Sequence, residues 1–505
     1  MHPHHVLINR TSAVPIYEQI CNSISDRIIS EQCFDGEQLP SVRELSTALQ
    51  VSLVTVQKAY RLLAKRGLIT SEKGRGNFVK KGTTAKDAFH LEHGNSSNKP
   101  WQMDIQDYIP RSQVLKHINS VQTDVIHKLS VANFHRDVLP VAWIQGKAKQ
   151  AIDKYPDALV DYSSSVGDPA FLQAAQKYIE SIGVKTDTKH MLTVSGSQQA
   201  IELIAKTFLS YGDSVIIESP TYIGYIDVLR ARGVRIISVP VDYEGLQTHR
   251  LIELCERYKP KLLFTNPTFQ NPTGTTLSLK RRQELIDIAE SFQLIIVEDD
   301  IWSELYFQKK PPLPIKSFDS SGCVIYIKSY SKILATGCRV AVVVADQPIL
   351  NRLIAAKSIS DLGSPLITQV ILAELLSSPE LQGKMVDIRK ALARRVAMTY
   401  RYLQTNLPKA VHEQMIWYQP QGGLFLWLQL PSGVHDENLL QEAIRNRLTF
   451  LPGSACYAGG EEQRFIRISY AHASEEMLED AIITLCDVLK SEINRVKDNI
   501  YYPIT

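Results

Sequence analysis

From about Ser130 onward the chain repeats one pattern: a short run of apolar, largely β-branched residues, then an amphipathic stretch of helical period. The runs fall at 214–217, 234–237, 261–264, 294–297, 324–327 and 340–344, with a further strand-like stretch at 192–194. Segments that are apolar on both faces do not suit a sheet with one wetted side. They predict a mostly parallel sheet covered by helices on both faces, an α/β fold. Ligands of such sheets bind at the carboxyl ends of the strands. The residues that close each run are therefore where chemistry is sought.

The run at 324–327 leads into Lys328-Ser329-Tyr330-Ser331-Lys332, followed by Gly337-Cys338-Arg339. A lysine at the end of a buried strand can form an imine with an aldehyde. Ser329 and Arg339 can hold a dianionic phosphate beside it, the guanidinium as a bidentate clamp. An aldehyde that carries a phosphate is pyridoxal 5′-phosphate (PLP). Ser-x-x-Lys is also the nucleophile motif of penicillin-binding proteins, but the Ser-Asp-Asn and Lys-Thr-Gly strings of that chemistry do not occur in this chain. After 192–194 comes Ser195-Gly196-Ser197-Gln198, a small turn feeding a helix, which is an anion site or a plain cap. After 261–264 a double Asn-Pro places Asn271 where its amide could donate to a phenolate, or else forms a simple turn. After 294–297, Glu298-Asp299-Asp300 offers a carboxylate to a protonated pyridine nitrogen, or an N-cap acid.

The first 80 residues follow a different rule. Ile16, Ile20, Ile24 and Ile28 recur at helical spacing. Ser41 and Glu44 form a capping box opening a second helix with Val42, Leu45 and Leu49 on its buried face. Ser52 caps a third, with Val56, Ala59 and Leu63 inward and Thr55 and Lys58 outward. Two short helices across a tight turn have helix-turn-helix geometry. Gly74-Arg75-Gly76 between two strand-like stretches reads as a wing with a basic tip. Eleven Lys/Arg stand against seven acids up to Gly82, whereas the whole chain carries only +3. The positive excess therefore sits in the first sixth and suits an anionic polymer.

With 505 residues, two to four domains are expected. Domains are expected at 10–80 and 129–498, joined by a polar linker at 81–128 whose stretch from Trp101 to Leu129 has an amphipathic helical pattern. No run approaches the ~18 apolar residues of a membrane span, and the start has no signal-peptide core. The seven scattered cysteines have no metal spacing and read as reduced cytosolic thiols; no metal site and no membrane partner are expected.

Residues Pro15 to Val79 resemble a GntR-type winged helix-turn-helix. The resemblance rests on Leu39-Pro40-Ser41-Val42-Arg43-Glu44-Leu45, Val51-Ser52-Leu53-Val54-Thr55-Val56, Ala59-Tyr60-Arg61-Leu62-Leu63 and Gly74-Arg75-Gly76-Asn77-Phe78-Val79. It implies DNA contacts by Arg43, Ser52, Thr55 and the wing residues Gly74, Arg75 and Gly76, to which the outward-facing Lys58 is added as a candidate. Where that family often has arginine after the serine, this chain has Leu53. The remainder resembles class I aminotransferases of fold-type I, with the pieces in that family's order and a small C-terminal α+β subdomain. The resemblance implies Lys332 as the Schiff-base lysine and Ser197, Gln198, Ser329 and Arg339 as phosphate ligands. It implies Tyr222 stacked on the pyridine, Asn271 as the O3′ donor, and Asp299 as the pyridinium partner. Gly422-Gly423 resembles the glycine pair under the site, Arg467 the arginine for a substrate α-carboxylate, and Tyr162 the tyrosine lent to the partner subunit's phosphate. Two or three residues after the aspartate, where the family usually has a tyrosine, stand Ile301 and Trp302; an indole can donate a hydrogen bond and isoleucine cannot.

A GntR-like head on an aminotransferase-like body is similar to the MocR subfamily of bacterial regulators. It implies a cytoplasmic, homodimeric, PLP-dependent transcription regulator that binds an operator in double-stranded DNA and senses PLP, an amino acid or a related amine. The alternative is an active aminotransferase with an accessory DNA-binding head. A third reading is a DNA-binding protein whose body binds nothing.

Overall fold

The computed structural model describes residues 15–29, 36–72, 76–80, 125–330, 332–459 and 464–501, together with Val6, Cys33 and Ile118. The chain divides into two compact units, Met1–Asp107 and Tyr108–Thr505. Gly74, Arg75, Ser331 and nearly all of the expected linker lie outside the described residues.

In the first unit, α1 (Ile16–Ile29), α2 (Val42–Leu49) and α3 (Leu53–Lys65) enclose a core of Ile20, Ile24, Leu45, Val56, Ala59 and Leu63. The capping box forms as the sequence predicts: Glu44 N–H donates to Ser41 Oγ at 3.2 Å, and Ser41 N–H to Glu44 Oε2 at 2.8 Å. Gln50 takes a left-handed conformation to end α2, and Ser52 caps α3 by accepting from Thr55 N–H. β1 (Ile69–Glu72) and β2 (Gly76–Val79) pair antiparallel as the wing. The buried Tyr60 hydroxyl donates to the Pro40 carbonyl and ties α3 to the start of α2.

The second unit opens with β3 (His127–Lys128) and is built on eight strands: β4 (Met191–Val194), β5 (Ser214–Ser219), β6 (Arg235–Asp242), β7 (Gly245–Leu246), β8 (Leu262–Thr265), β9 (Ile295–Asp300), β10 (Val324–Ser329) and β11 (Ala341–Val344). Their order is β4-β11-β10-β9-β8-β5-β6-β7. The five central strands, β10 to β6, pair parallel; β11 and β7 run antiparallel to their neighbours. Strand alternation divides the apolar runs between two cores. Val215 and Ile217 face Ile201, Ile204 and Leu353 on one side, and Ile216 and Ile296 face Leu251 and Leu285 on the other. A smaller antiparallel sheet of β12 (Phe425–Gln429), β15 (Phe465–Ser469) and β14 (Leu451–Pro452) packs with the long helices Leu381–Asn406 and Glu475–Tyr501, the expected α+β subdomain.

The sequence pattern extends a helix through Leu129, but β3 instead pairs in parallel with β13 (Leu448–Thr449). Pairing of its amides with the body overrides the helical period of this short stretch. The seven cysteines are all free, and no described helix is long and apolar enough to cross a membrane.

Candidate PLP site and DNA-facing surface

In the body, strand ends bring most of the predicted residues to one place. Parallel pairing sets Ile327 of β10 beside Asp299 of β9 and Lys328 beside Asp300. Asp299 is buried, and Tyr225 donates its hydroxyl to Oδ2 at 3.2 Å. Asp299 Oδ1 is buried with no hydrogen-bond partner among the described residues. Burial raises this carboxyl to about 7, against the lowering effect of the Tyr225 and Ser197 hydroxyls. The missing partner is a cation or a proton donor at Oδ1, which a protonated ring nitrogen supplies.

The turn before the helix Ser197–Phe208 passes through Gly196 at φ +91. A Cβ at Gly196 would stand 2.7 Å from Arg339 Nη2, so the guanidinium lies directly against this turn. Helix N–H groups, a guanidinium and the buried Ser329 make a cradle for a dianion. Tyr222 donates to Gln198 Oε1 at 3.0 Å and meets Tyr225 edge to face.

Lys332 lies within reach of the charge of the cradle's Arg339. Burial, then the positive charges of Arg339 and Arg467, lower its ammonium to about 8. Its Nζ donates to the Ala132 carbonyl at 2.6 Å. Arg467 is buried, lies over the Phe425 ring at 4.1 Å, and donates from Nη1 to Asn271 Oδ1 at 2.8 Å and from Nη2 to the Ser130 carbonyl at 2.7 Å. Its Nε finds no partner among the described residues, and burial lowers the guanidinium to about 10. Gly423, at φ +80, and Gly422 lie against Phe269, where a Cβ on Gly422 would come within 2.5 Å of the ring. These groups fit PLP: an acceptor for a ring nitrogen, a dianion cradle, a lysine of lowered basicity, and an amide beside them. When bound, the cofactor supplies an aldehyde for amines and a ring that withdraws electrons.

Tyr162 is the exception. It is 85% exposed and does not join the other residues within one chain. Trp302 fills the tyrosine position but packs edge to face on Phe425, its indole N–H buried and unpartnered among the described residues. Ile301 is half-buried beside the core. Sequence reasoning missed Tyr225, the donor to Asp299. Its spacing of three from Tyr222 at a helix start was a usable signal, since such residues share a helix face. It also missed the carbonyls of Ser130 and Ala132, which no side-chain pattern could announce.

On the head, Arg43 and Ser52 are exposed and Thr55 is half-buried. Ser52 Oγ and Thr55 Oγ1 lie 2.8 Å apart. Lys58 Nζ sits 3.8 Å from the centre of the Tyr17 ring, so its charge leans on α1. Gly76 opens β2 with φ +118, beside Gln38.

The profile of the family described as aminotransferase class I and II matches residues 128–485, and that of bacterial regulatory proteins, gntR family, matches residues 16–79. The chain is 31% identical over 489 residues to YdfD, an uncharacterized HTH-type transcriptional regulator of Bacillus subtilis, covering 95% of this chain and 98% of the relative. Among solved structures it resembles kynurenine aminotransferase of Pyrococcus horikoshii in complex with PMP. That match has a TM-score of 0.71 and 28% identity over 81% of this chain and 100% of the other. It also resembles LysN, an α-aminoadipate aminotransferase of Thermus thermophilus complexed with N-(5′-phosphopyridoxyl)-L-leucine. Here the TM-score is 0.69, with 29% identity over 75% and 95% of the two chains.

Proposed function

The chain belongs to the class I and II aminotransferase family and carries a GntR-type head, and we propose that the body of this DNA-binding regulator is its sensor, reporting PLP and an amino acid or related amine to the head. One observation carries this reading. The first residues of the body, which the chain connects to the head, are held at the cofactor site by main-chain carbonyls. Ser130 accepts from Arg467 and Ala132 from Lys332. Ser469 N–H also donates to the Leu129 carbonyl at 2.8 Å.

The groups that would bind the ligand therefore already hold this segment. A carboxylate that takes the fork of Arg467 competes with Ser130 for Nη2. Capture of the Lys332 amine removes the donor to Ala132. Each exchange gives up one hydrogen bond from a cation, worth about 1.5–3 kcal/mol. That is enough to bias a two-state arrangement of the segment by about tenfold or more. Ser197, Gln198, Ser329 and Arg339 would hold the phosphate, Tyr222 the ring face, Asn271 the phenolate and Asp299 the ring nitrogen.

The body also has a surface suited to a second copy. Leu159, Val160 and Tyr162 are exposed, as are Ile359 and Leu362, and the two segments are tied by Ser163 Oγ donating to the Ser364 carbonyl at 2.7 Å. An apolar patch that also presents Tyr162 supports a homodimer in which this tyrosine completes the partner's phosphate site.

The test is fluorescence anisotropy with full-length protein on a duplex selected from a random library, titrated with PLP and then with each common amino acid. DNA affinity changes by about fivefold or more on ligand addition, and Lys332→Ala binds DNA without that response. Equal affinity with and without ligands in the wild type overturns the sensor reading. With a keto acid added as amino acceptor, sustained formation of a second keto acid over many turnovers would favour the enzyme instead. The placement of Trp302 favours the sensor, since its indole packs on Phe425 where the family usually presents a phenol.

A further inference from the structure

Two large apolar side chains stand in water at the tip of the head's second helix-turn-helix element. Leu53 and Val54, the first residues of α3, are 46% and 70% exposed. The helix does not need them there for its own stability. Its cap is Ser52, and its buried face is supplied by Val56, Ala59, Tyr60 and Leu63. Behind them the exposed face turns polar with Gln57, Lys58 and Arg61. The first cation along the helix, Lys58, leans back on Tyr17. The tip thus offers methyl groups beside the hydrogen-bonded Ser52 and Thr55 hydroxyls, with positive charge set behind them.

The first residues of a recognition helix are the ones that meet base edges in the major groove. The apolar group presented there is the C5-methyl of thymine. A guanine at the same place shows two acceptors, and a cytosine an amino donor; burying either against leucine or valine leaves it without a partner.

We propose that Leu53 and Val54 read the C5-methyl groups of thymines in the operator half-site and reject G·C pairs at those positions. This rests on the head being a DNA-binding domain, and the experiment separates the two claims. Full-length protein selects duplexes from a library with 20 randomised base pairs (about two helical turns). Each enriched thymine is then replaced by deoxyuridine, which removes one methyl and leaves base pairing and protein untouched. The wild type loses about fourfold in affinity for each contacted methyl, the contribution of one buried CH₂. Leu53→Ala and Val54→Ala each lose that discrimination at one position. Leu53→Arg, which restores a fork for guanine O6 and N7, moves the enrichment there from T to G. Both side chains are exposed at a helix tip, so the variants keep the wild-type thermal midpoint. Enrichment without any penalty for deoxyuridine overturns the proposal while leaving DNA binding intact. Failure to enrich any duplex removes the DNA-binding reading, and the proposal with it.

Discussion

Lys332 is worth following through its protonation, because only the neutral amine attacks an aldehyde. Its ammonium is lowered from 10.5 to about 8 by burial and by the charges of Arg339 and Arg467. The neutral fraction therefore rises about tenfold per pH unit below 8 and levels off above it. The initial rate of PLP capture by cofactor-free protein should follow that curve, read by absorbance between about pH 6 and pH 10. A rate that keeps climbing to pH 10 would show that the lysine has its ordinary basicity. Lys332→Ala leaves the protein colourless after incubation with PLP and dialysis. Asp299→Asn removes the carboxylate whose Oδ1 lacks a partner and should weaken cofactor retention about tenfold or more, the scale of one hydrogen bond to a charged group. A titration of cofactor binding checks it.

At the scale of elements, the head and the sheet differ in how much their own residues reveal. The capping box of α2 was legible because Ser41 and Glu44 are three apart and their partners are local amides. Ser41→Ala should cost the head about 1 kcal/mol in denaturant unfolding. The strand β10 was legible only as an apolar run. Inside it the structure buries Lys328, whose Nζ donates to Asp300 Oδ2 at 3.1 Å, Glu304 Oε2 at 2.7 Å and Ser303 Oγ at 3.1 Å. Neighbouring residues of β9 point to opposite faces. Asp299 therefore meets Tyr225 on one side of the sheet while Asp300 pairs with Lys328 on the other. Lys328→Met leaves two buried carboxylates without their cation, at a cost of about 3–5 kcal/mol. Its thermal midpoint should fall well below that of an exposed-lysine control such as Lys280→Met.

For the whole molecule, the exposed loop bearing Val160 and Tyr162 predicts assembly. Val160→Asp should lower the mass measured by light scattering from dimer to monomer, because a carboxylate in a closed apolar contact is left unpaired. It should also weaken PLP retention if the partner's tyrosine completes each site; a dimeric Val160→Asp would remove this surface from the interface. The amino-acid order determined the α/β class, the helix-turn-helix, and the identity of most candidate site residues. Each of those rests on local periodicity, a cap, or a polar residue at the end of an apolar run. Tertiary structure alone decided that Ser130 and Ala132 cap Arg467 and Lys332, that Tyr225 donates to Asp299, and that residues 127–128 form a strand. Those choices depend on main-chain carbonyls or on partners 74 to 337 residues away in the chain. Every residue carries the same carbonyl, so only the folded path of the chain distinguishes one from another.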